Sequence, residues 1–313
     1  MCVAELPDLY KHVDRVIWLV QDIDKIKPAW VAIGLSDVKE YSNIEFTGEY
    51  HGKPTTIYTW EITGRLGNLN IEMIQPAEGQ LNAFNDFLSR HGDGIFAIVH
   101  EVSTQKEMKD EIERMQGLGV GVLQQLTGKR NNASVNFTYF DTEPQGKFVL
   151  GLIQNPDSSS RNAQDPGITV SHIAPVIRES ASVSAFWQIL GFPAFHIEHA
   201  TPREDSRYHG EPLWLTFDVG YQHHTQFNYE WIIPPMEPPN IYADFLKAHQ
   251  EGIQHIGLPV KDLSQAISTY EKLGYHVKQS GAWGDVGQIN SGKYAYMDTD
   301  TAGGVSVELL HAY

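Results

Sequence analysis

The sequence is poor in cysteine, in positive charge and in long apolar runs. Its single cysteine, Cys2, cannot close an internal disulfide, and neither a cysteine-built zinc finger nor a Cys nucleophile scheme has the material it needs. A reducing, cytoplasmic setting is expected. Lysine plus arginine number 23 against 39 for aspartate plus glutamate, a formal charge of −16, which opposes binding to nucleic acid or to an anionic membrane surface. No stretch approaches the ~20 apolar residues of a membrane span, and Met1 to Val20 carries Glu5, Asp8 and Asp14 instead of a basic leader. A soluble, unexported protein is expected.

What remains is an ordinary globular composition: 313 residues, 41% hydrophobic and 20% charged, long enough for two domains that each bury a core. An internal repeat supplies the division. Tyr50-His51-Gly52-Lys53-Pro54 returns as Tyr208-His209-Gly210-Glu211-Pro212, and Asn70 to Pro76 returns as Asn228 to Pro234, at a common offset of 158. Asp86-Phe87-Leu88 with His91 and Gly94 returns as Asp244-Phe245-Leu246 with His249 and Gly252 in the same register. The polar, turn-rich segment around 157–166 reads as a linker between domains 1–156 and 167–313. His51, His209, His91 and His249 recur in both halves and are expected to be structural.

Each half divides again. Val13 to Asp22, Gly94 to Val102, Val170 to Ile177 and Gly252 to Val260 read as opening strands. In the second half, Val183, Phe186, Trp187, Leu190 and Leu263, Ile267, Tyr270, Leu273 follow with helical spacing, closed by Gly191 and Gly274. Alternating runs such as Leu213 to Val219 come next, and each piece ends on an apolar strand. The unit is β-α-β-β-β, four times over, in the α+β class.

The second half places four ligand-type residues inside otherwise apolar strands. His172 and His255 sit in opening strands, and Glu230 and Glu308 in closing strands. A carboxylate with apolar neighbours on both sides needs a pair, hydrogen bonds or a metal to be buried. Two imidazoles and two carboxylates at matching repeat positions suit one divalent first-row ion, and Zn, Ni, Co, Mn and Fe(II) all accept the set. Ala174 and Gly257 lie two residues beyond each histidine, on the same strand face, and are expected to leave room for a ligand. Alternation also puts His224 on the face of Glu230, a candidate for proton transfer. Trp214, Phe217, Trp231, Tyr294 and Tyr296 are expected in the core or lining the cavity.

The first half lacks most of the set. Counting back from Asp22, as His255 is counted from Asp262, puts Arg15 at the first histidine position, one residue off the main register. Glu72 matches Glu230, Ala97 matches His255, and Lys147 to Pro156 has no carboxylate. A degenerate domain without a metal is expected there, with Arg15 and Glu72 paired in place of the ion.

The opening from His255 to Asp262, and the closings Tyr229-Glu230-Trp231-Ile232 and Val305 to Leu310, resemble the vicinal oxygen chelate superfamily of glyoxalases, bleomycin-resistance proteins, methylmalonyl-CoA epimerase and extradiol dioxygenases. The resemblance covers nearly the whole chain as four modules and implies two tandem domains of paired modules, each an open, cup-shaped barrel. It implies one divalent metal on His172, Glu230, His255 and Glu308, and a small substrate with two adjacent oxygens. The motif is closest to the glyoxalase and epimerase branch. That likeness implies isomerase or lyase chemistry: proton abstraction next to a carbonyl, an enediolate whose charge the ion stabilises, and Glu308 or Glu230 as base. Two alternatives stand beside it, an Fe(II)-dependent extradiol dioxygenase and a non-catalytic small-molecule binding protein. With two halves in one chain a monomer can complete the site, and free sheet edges leave a homodimer open.

Overall fold

A computed structural model describes residues 6–154, 169–201, 203, 205–223 and 228–313. The segment 157–166, expected as a linker, and His224 lie outside these described residues. The chain forms two compact units, Met1–Gly167 with Ala181–Ala194, and Ile168–Ser180 with Phe195–Tyr313.

The first unit contains two βαβββ modules. β1 (Arg15–Leu19), α1 (Ile23–Ile33), β2 (Ser36–Tyr50), β3 (Lys53–Leu66) and β4 (Leu69–Pro76) form one. α2 (Ala83–His91) leads into the other: β5 (Gly94–Val102), α3 (Gln105–Gly117), β6 (Val122–Arg130), β7 (Ala133–Phe140), the short α4 (Glu143–Gly146) and β8 (Val149–Gln154). β1 and β5 pair antiparallel at the middle, each with its own closing strand parallel on the other side. Both central strands are buried along their whole length, so they read as continuous apolar runs and not as alternation.

The second half of the chain repeats the plan with β9 (His172–Val176), α5 (Ala181–Ile189), β10 (His196–Ala200), β11 (Arg207–Tyr208), β12 (Glu211–Pro212), β13 (Phe217–His223) and β14 (Asn228–Ile233). α6 (Ile241–His249) precedes β15 (Gly252–Pro259), α7 (Leu263–Lys272), β16 (Val277–Trp283), β17 (Gly292–Met297) and β18 (Ser306–Ala312). Its central order is β14-β9-β15-β18, parallel at the flanks and antiparallel in the middle. Val176, Leu213, Leu215, Ile232, Tyr242 and Leu246 belong to one buried core cluster of the second unit.

Local chemistry explains the turns that the repeat marks. Asp22 and Asp262 cap α1 and α7, accepting from the backbone N–H of Lys25 and Gln265, which is why an acidic residue follows each of these opening strands. His51-Gly52 and His209-Gly210 both hold positive φ at hairpin tips, the paired left-handed geometry of a tight two-residue turn. The repeated histidines 51 and 209 are therefore turn residues.

Two expectations need correction. Leu213 to Val219 was expected as one alternating strand, but β13 begins only at Phe217; Leu213 and Leu215 turn inward and Trp214 is 61% exposed. The helix after the third opening strand forms as expected, yet the segment holding α5 packs in the first unit. Trp187 donates from Nε1 to the Gly146 carbonyl at 3.2 Å and stacks on Phe148 with ring centroids 4.7 Å apart. Among the described residues no helix is long and apolar enough to cross a membrane.

Candidate metal centre

In the second unit the four expected side chains sit on four adjacent strands, because two modules meet along the antiparallel β9–β15 pair. Register places them in two rows. His172 lies opposite Gly257, which pairs onward with Glu308. His255 lies opposite Ala174, and the β9–β14 register that sets Asn228 beside His172 carries Glu230 beside Ala174. Each row thus offers one histidine and one glutamate, and the rows cross.

Three of the four come together. Candidate ligand atoms of His172, His255 and Glu308 all lie within 4.8 Å of one another, and all three residues are buried. His172 Nε2 is 2.9 Å and His255 Nε2 3.5 Å from Glu308 Oε2, and the imidazoles stand edge to face with centroids 5.3 Å apart. Yet these three buried atoms make no well-formed hydrogen bond. Buried nitrogens and a carboxylate oxygen left in this state are costly. Two donors each ~2.1 Å from one cation sit roughly 3 Å apart, so the spacing and the donor chemistry both fit a divalent ion. Glu230 stands on the other edge of His172, its Oε2 3.5 Å from Nδ1.

A side-chain acceptor holds the His255 imidazole in one tautomer. His255 donates from Nδ1 to Gln254 Oε1 at 2.6 Å, and Gln254 Nε2 donates in turn to Ser306 Oγ at 3.3 Å. His172 Nδ1 lies 3.3 Å from Ser171 Oγ, which donates to the Gly257 carbonyl. A proton on Nδ1 leaves the Nε2 lone pair free to face the cluster. Gln254, Ser306 and Ser171 were not foreseen; the signal for the first was only that a glutamine precedes the histidine.

The two carboxylates are driven apart electrostatically. Burial opposes the charge on Glu308, but the imidazoles of His172 and His255 outweigh it and hold the carboxyl down at about 2. Burial dominates at Glu230, helped by the charge of Glu308 and opposed by His172, and pushes it up to about 7. At His172 burial disfavours the cation, yet Glu230 and Glu308 win and raise it. His255, more deeply desolvated, is lowered.

Glu230 and Glu308 open onto a cavity of about 510 Å³ lined also by Leu213, Phe217, Tyr242 and Tyr296. That volume suits a small organic ligand. Tyr242 donates to the Tyr296 hydroxyl at 2.9 Å, and Tyr296 lies edge to face on His255. Phe217, Tyr294 and Tyr296 line this space as expected, while Trp231 is core. Arg203 is the single arginine or lysine among the described lining residues.

The first unit has the same lattice with other side chains. Arg15 pairs with Asn70 as His172 pairs with Asn228, so strand pairing places Arg15 at the histidine position despite the one-residue slip. Ala97 stands for His255, and Gly151, through its pairing with Val99, for Glu308. Arg15 Nη1 donates to Glu72 Oε2 at 2.6 Å. Two further residues, missed in the sequence, complete the cluster: Arg130 donates from Nε to Glu61 at 2.7 Å and from Nη2 to Glu72. Two cations and two anions cancel in the core, with the aromatic rings of Tyr41, Phe46 and Phe137 around Arg130.

Residues 171–296 match the model of the glyoxalase/bleomycin resistance protein/dioxygenase superfamily. A triple-substitution variant of 4-hydroxymandelate synthase from Streptomyces coelicolor is similar over 96% of this chain and 92% of its own, at TM-score 0.65 and 14% identity. The Mn(II)-bound glyoxalase from Novosphingobium aromaticivorans is similar over 95% of this chain and 80% of its own, at TM-score 0.52 and 13% identity. At such identities the likeness is one of fold: tandem pairs of βαβββ modules. No curated protein sequence matches the chain.

Proposed function

We propose that the second unit holds one divalent cation on His172, His255 and Glu308, and that the protein is a metal-dependent isomerase or lyase moving a proton at a carbon next to a carbonyl. The observation that carries this reading is the unequal placement of the two glutamates. Both line the cavity, but Glu308 is held between two imidazoles with its side chain 4% exposed, whereas Glu230 stands on the far edge of His172 with its side chain 18% exposed. A ligand must stay; a base must face the substrate and be able to move.

When bound, the ion adds Lewis acidity toward two adjacent substrate oxygens. Everything else falls to the chain. His172, His255 and Glu308 fix the cation's place, Gln254 and Ser171 orient the rings, and the apolar wall excludes water so that charge interactions inside strengthen. Glu230 takes the proton from carbon and returns it at the next position. His224 is the further candidate for carrying that proton. Assigning Glu230 to proton transfer leaves three protein ligands in place of the four read from sequence. The working partner is then a small molecule with adjacent oxygens, in the cytoplasm.

A second reading rests on the same triad. Two histidines and one carboxylate are also the ligand set of non-haem Fe(II) oxygenases, and an extradiol dioxygenase would use it. Incubation with α-hydroxycarbonyl and catechol panels in D₂O, followed by NMR and an oxygen electrode, separates the two. Deuterium entering next to a carbonyl without oxygen uptake supports the isomerase or lyase; oxygen consumption with ring opening replaces it with the dioxygenase.

A further inference from the structure

Gly257 lies two residues after His255, and its missing side chain was expected to leave room for a ligand. The space is filled by protein. A Cβ built on Gly257 would stand 2.2 Å from Cε1, 2.4 Å from Nε2 and 2.5 Å from Nδ1 of His172. Distances under 3 Å require something to move, and here the obstacle is a ring whose Nε2 belongs to the cluster. Gly257 does not occupy the left-handed backbone region among the glycines of the chain, so its conformation is open to alanine. What alanine lacks is space.

The first unit offers an internal contrast. Register sets Val99 opposite Arg15 just as it sets Gly257 opposite His172. Where the arginine bonds to Glu72 on β4, the adjacent strand on the side away from β5, a branched side chain on β5 is tolerated and fully buried. Where an imidazole must lie flat across the neighbouring strand, the position is glycine. His255 crosses the pair reciprocally, opposite the small Ala174.

We infer that Gly257 is a positioning residue: the bare strand segment at 257 is the slot in which the His172 ring lies, and it sets the direction in which Nε2 points. In its metal arm the inference rests on His172 being a ligand; the packing arm does not. Any added methyl must rotate or lift the ring, and Nε2 leaves the reach of Glu308.

The test is a double-mutant cycle of Gly257→Ala and His172→Ala on the full chain, with thermal unfolding of EDTA-treated protein and elemental analysis after dialysis against Zn(II) and Co(II). Gly257→Ala alone should lower the unfolding midpoint by roughly 3–8 °C and drop metal content from about one ion per chain to less than a third. In the His172→Ala background the same glycine change should leave the midpoint unmoved. If Gly257→Ala alone gives no folded protein, recovery of folded protein in the double variant carries the same meaning. Equal destabilisation in both backgrounds, or full metal content with an unchanged midpoint in Gly257→Ala, overturns the inference. A wild-type protein that takes up no ion yet shows the coupling would end the metal reading and leave the seating role standing.

Discussion

Arg15 and Glu72 meet at 2.6 Å in the interior of the first unit, on paired strands that in the second unit carry His172 and Glu230. With Arg130 and Glu61 they make a buried set of two positive and two negative charges. Replacing Arg130 by alanine leaves two buried carboxylates with one cation, so stability should fall by roughly 3–5 kcal/mol, measured by urea unfolding. A loss below about 1 kcal/mol would show that the carboxylates find solvent or other partners. Metal content should not change.

Gln254 holds His255 through a 2.6 Å hydrogen bond. In Gln254→Ala the ring is free to turn and to change tautomer, and metal affinity should weaken by about 10–100-fold in a chelator-competition titration. Unchanged affinity would mean that packing against Tyr296 alone orients the imidazole.

Glu230→Gln keeps the shape of the cavity wall and removes the base. The variant should retain its ion and lose about 10²–10⁴-fold in solvent deuterium exchange into substrate. Loss of the ion in this variant would instead make Glu230 a fourth ligand, as the repeat pattern alone suggests.

Glu143 joins α4 to α2 through Arg90 and His91, with distances of 2.6 and 2.7 Å. Burial opposes its charge, but hydrogen bonds from Arg90 and His91 prevail and hold the carboxyl at about 2. A carboxyl depressed in the folded state stabilises above its unfolded value near 4.5, and that contribution disappears as pH falls from there toward 2. Wild type should therefore lose roughly 2 kcal/mol relative to Glu143→Gln across that interval. Parallel stability curves for the two proteins would exclude the linkage.

Much of the fold was legible because strands and helices write different periods into sequence and because a 158-residue repeat writes each twice. His172, His255 and Glu308 stood out as polar residues inside apolar strands, and sheet register does bring them together. What could not be read depends on distant pairing. Arg130 lies on β6, brought in by the β2–β6 edge, and its neighbours Lys129 and Asn131 give no sign of burial; Glu61 stands between Trp60 and Ile62, but its repeat position is Val219, so the repeat does not mark it. The exposure of Trp214 follows from an irregular stretch before β13, and the packing of α5 in the first unit leaves no mark in its own amphipathic pattern.

The central claim, that His172, His255 and Glu308 share one cation, is tested most directly by elemental analysis of the full-length protein purified without added metal, beside His255→Ala. The predicted result is close to one divalent ion per wild-type chain and none in the variant, with unchanged circular dichroism. A wild-type protein that carries no ion even after incubation with Zn(II), Mn(II), Co(II), Ni(II) and Fe(II), or a variant that keeps a full equivalent, would contradict it.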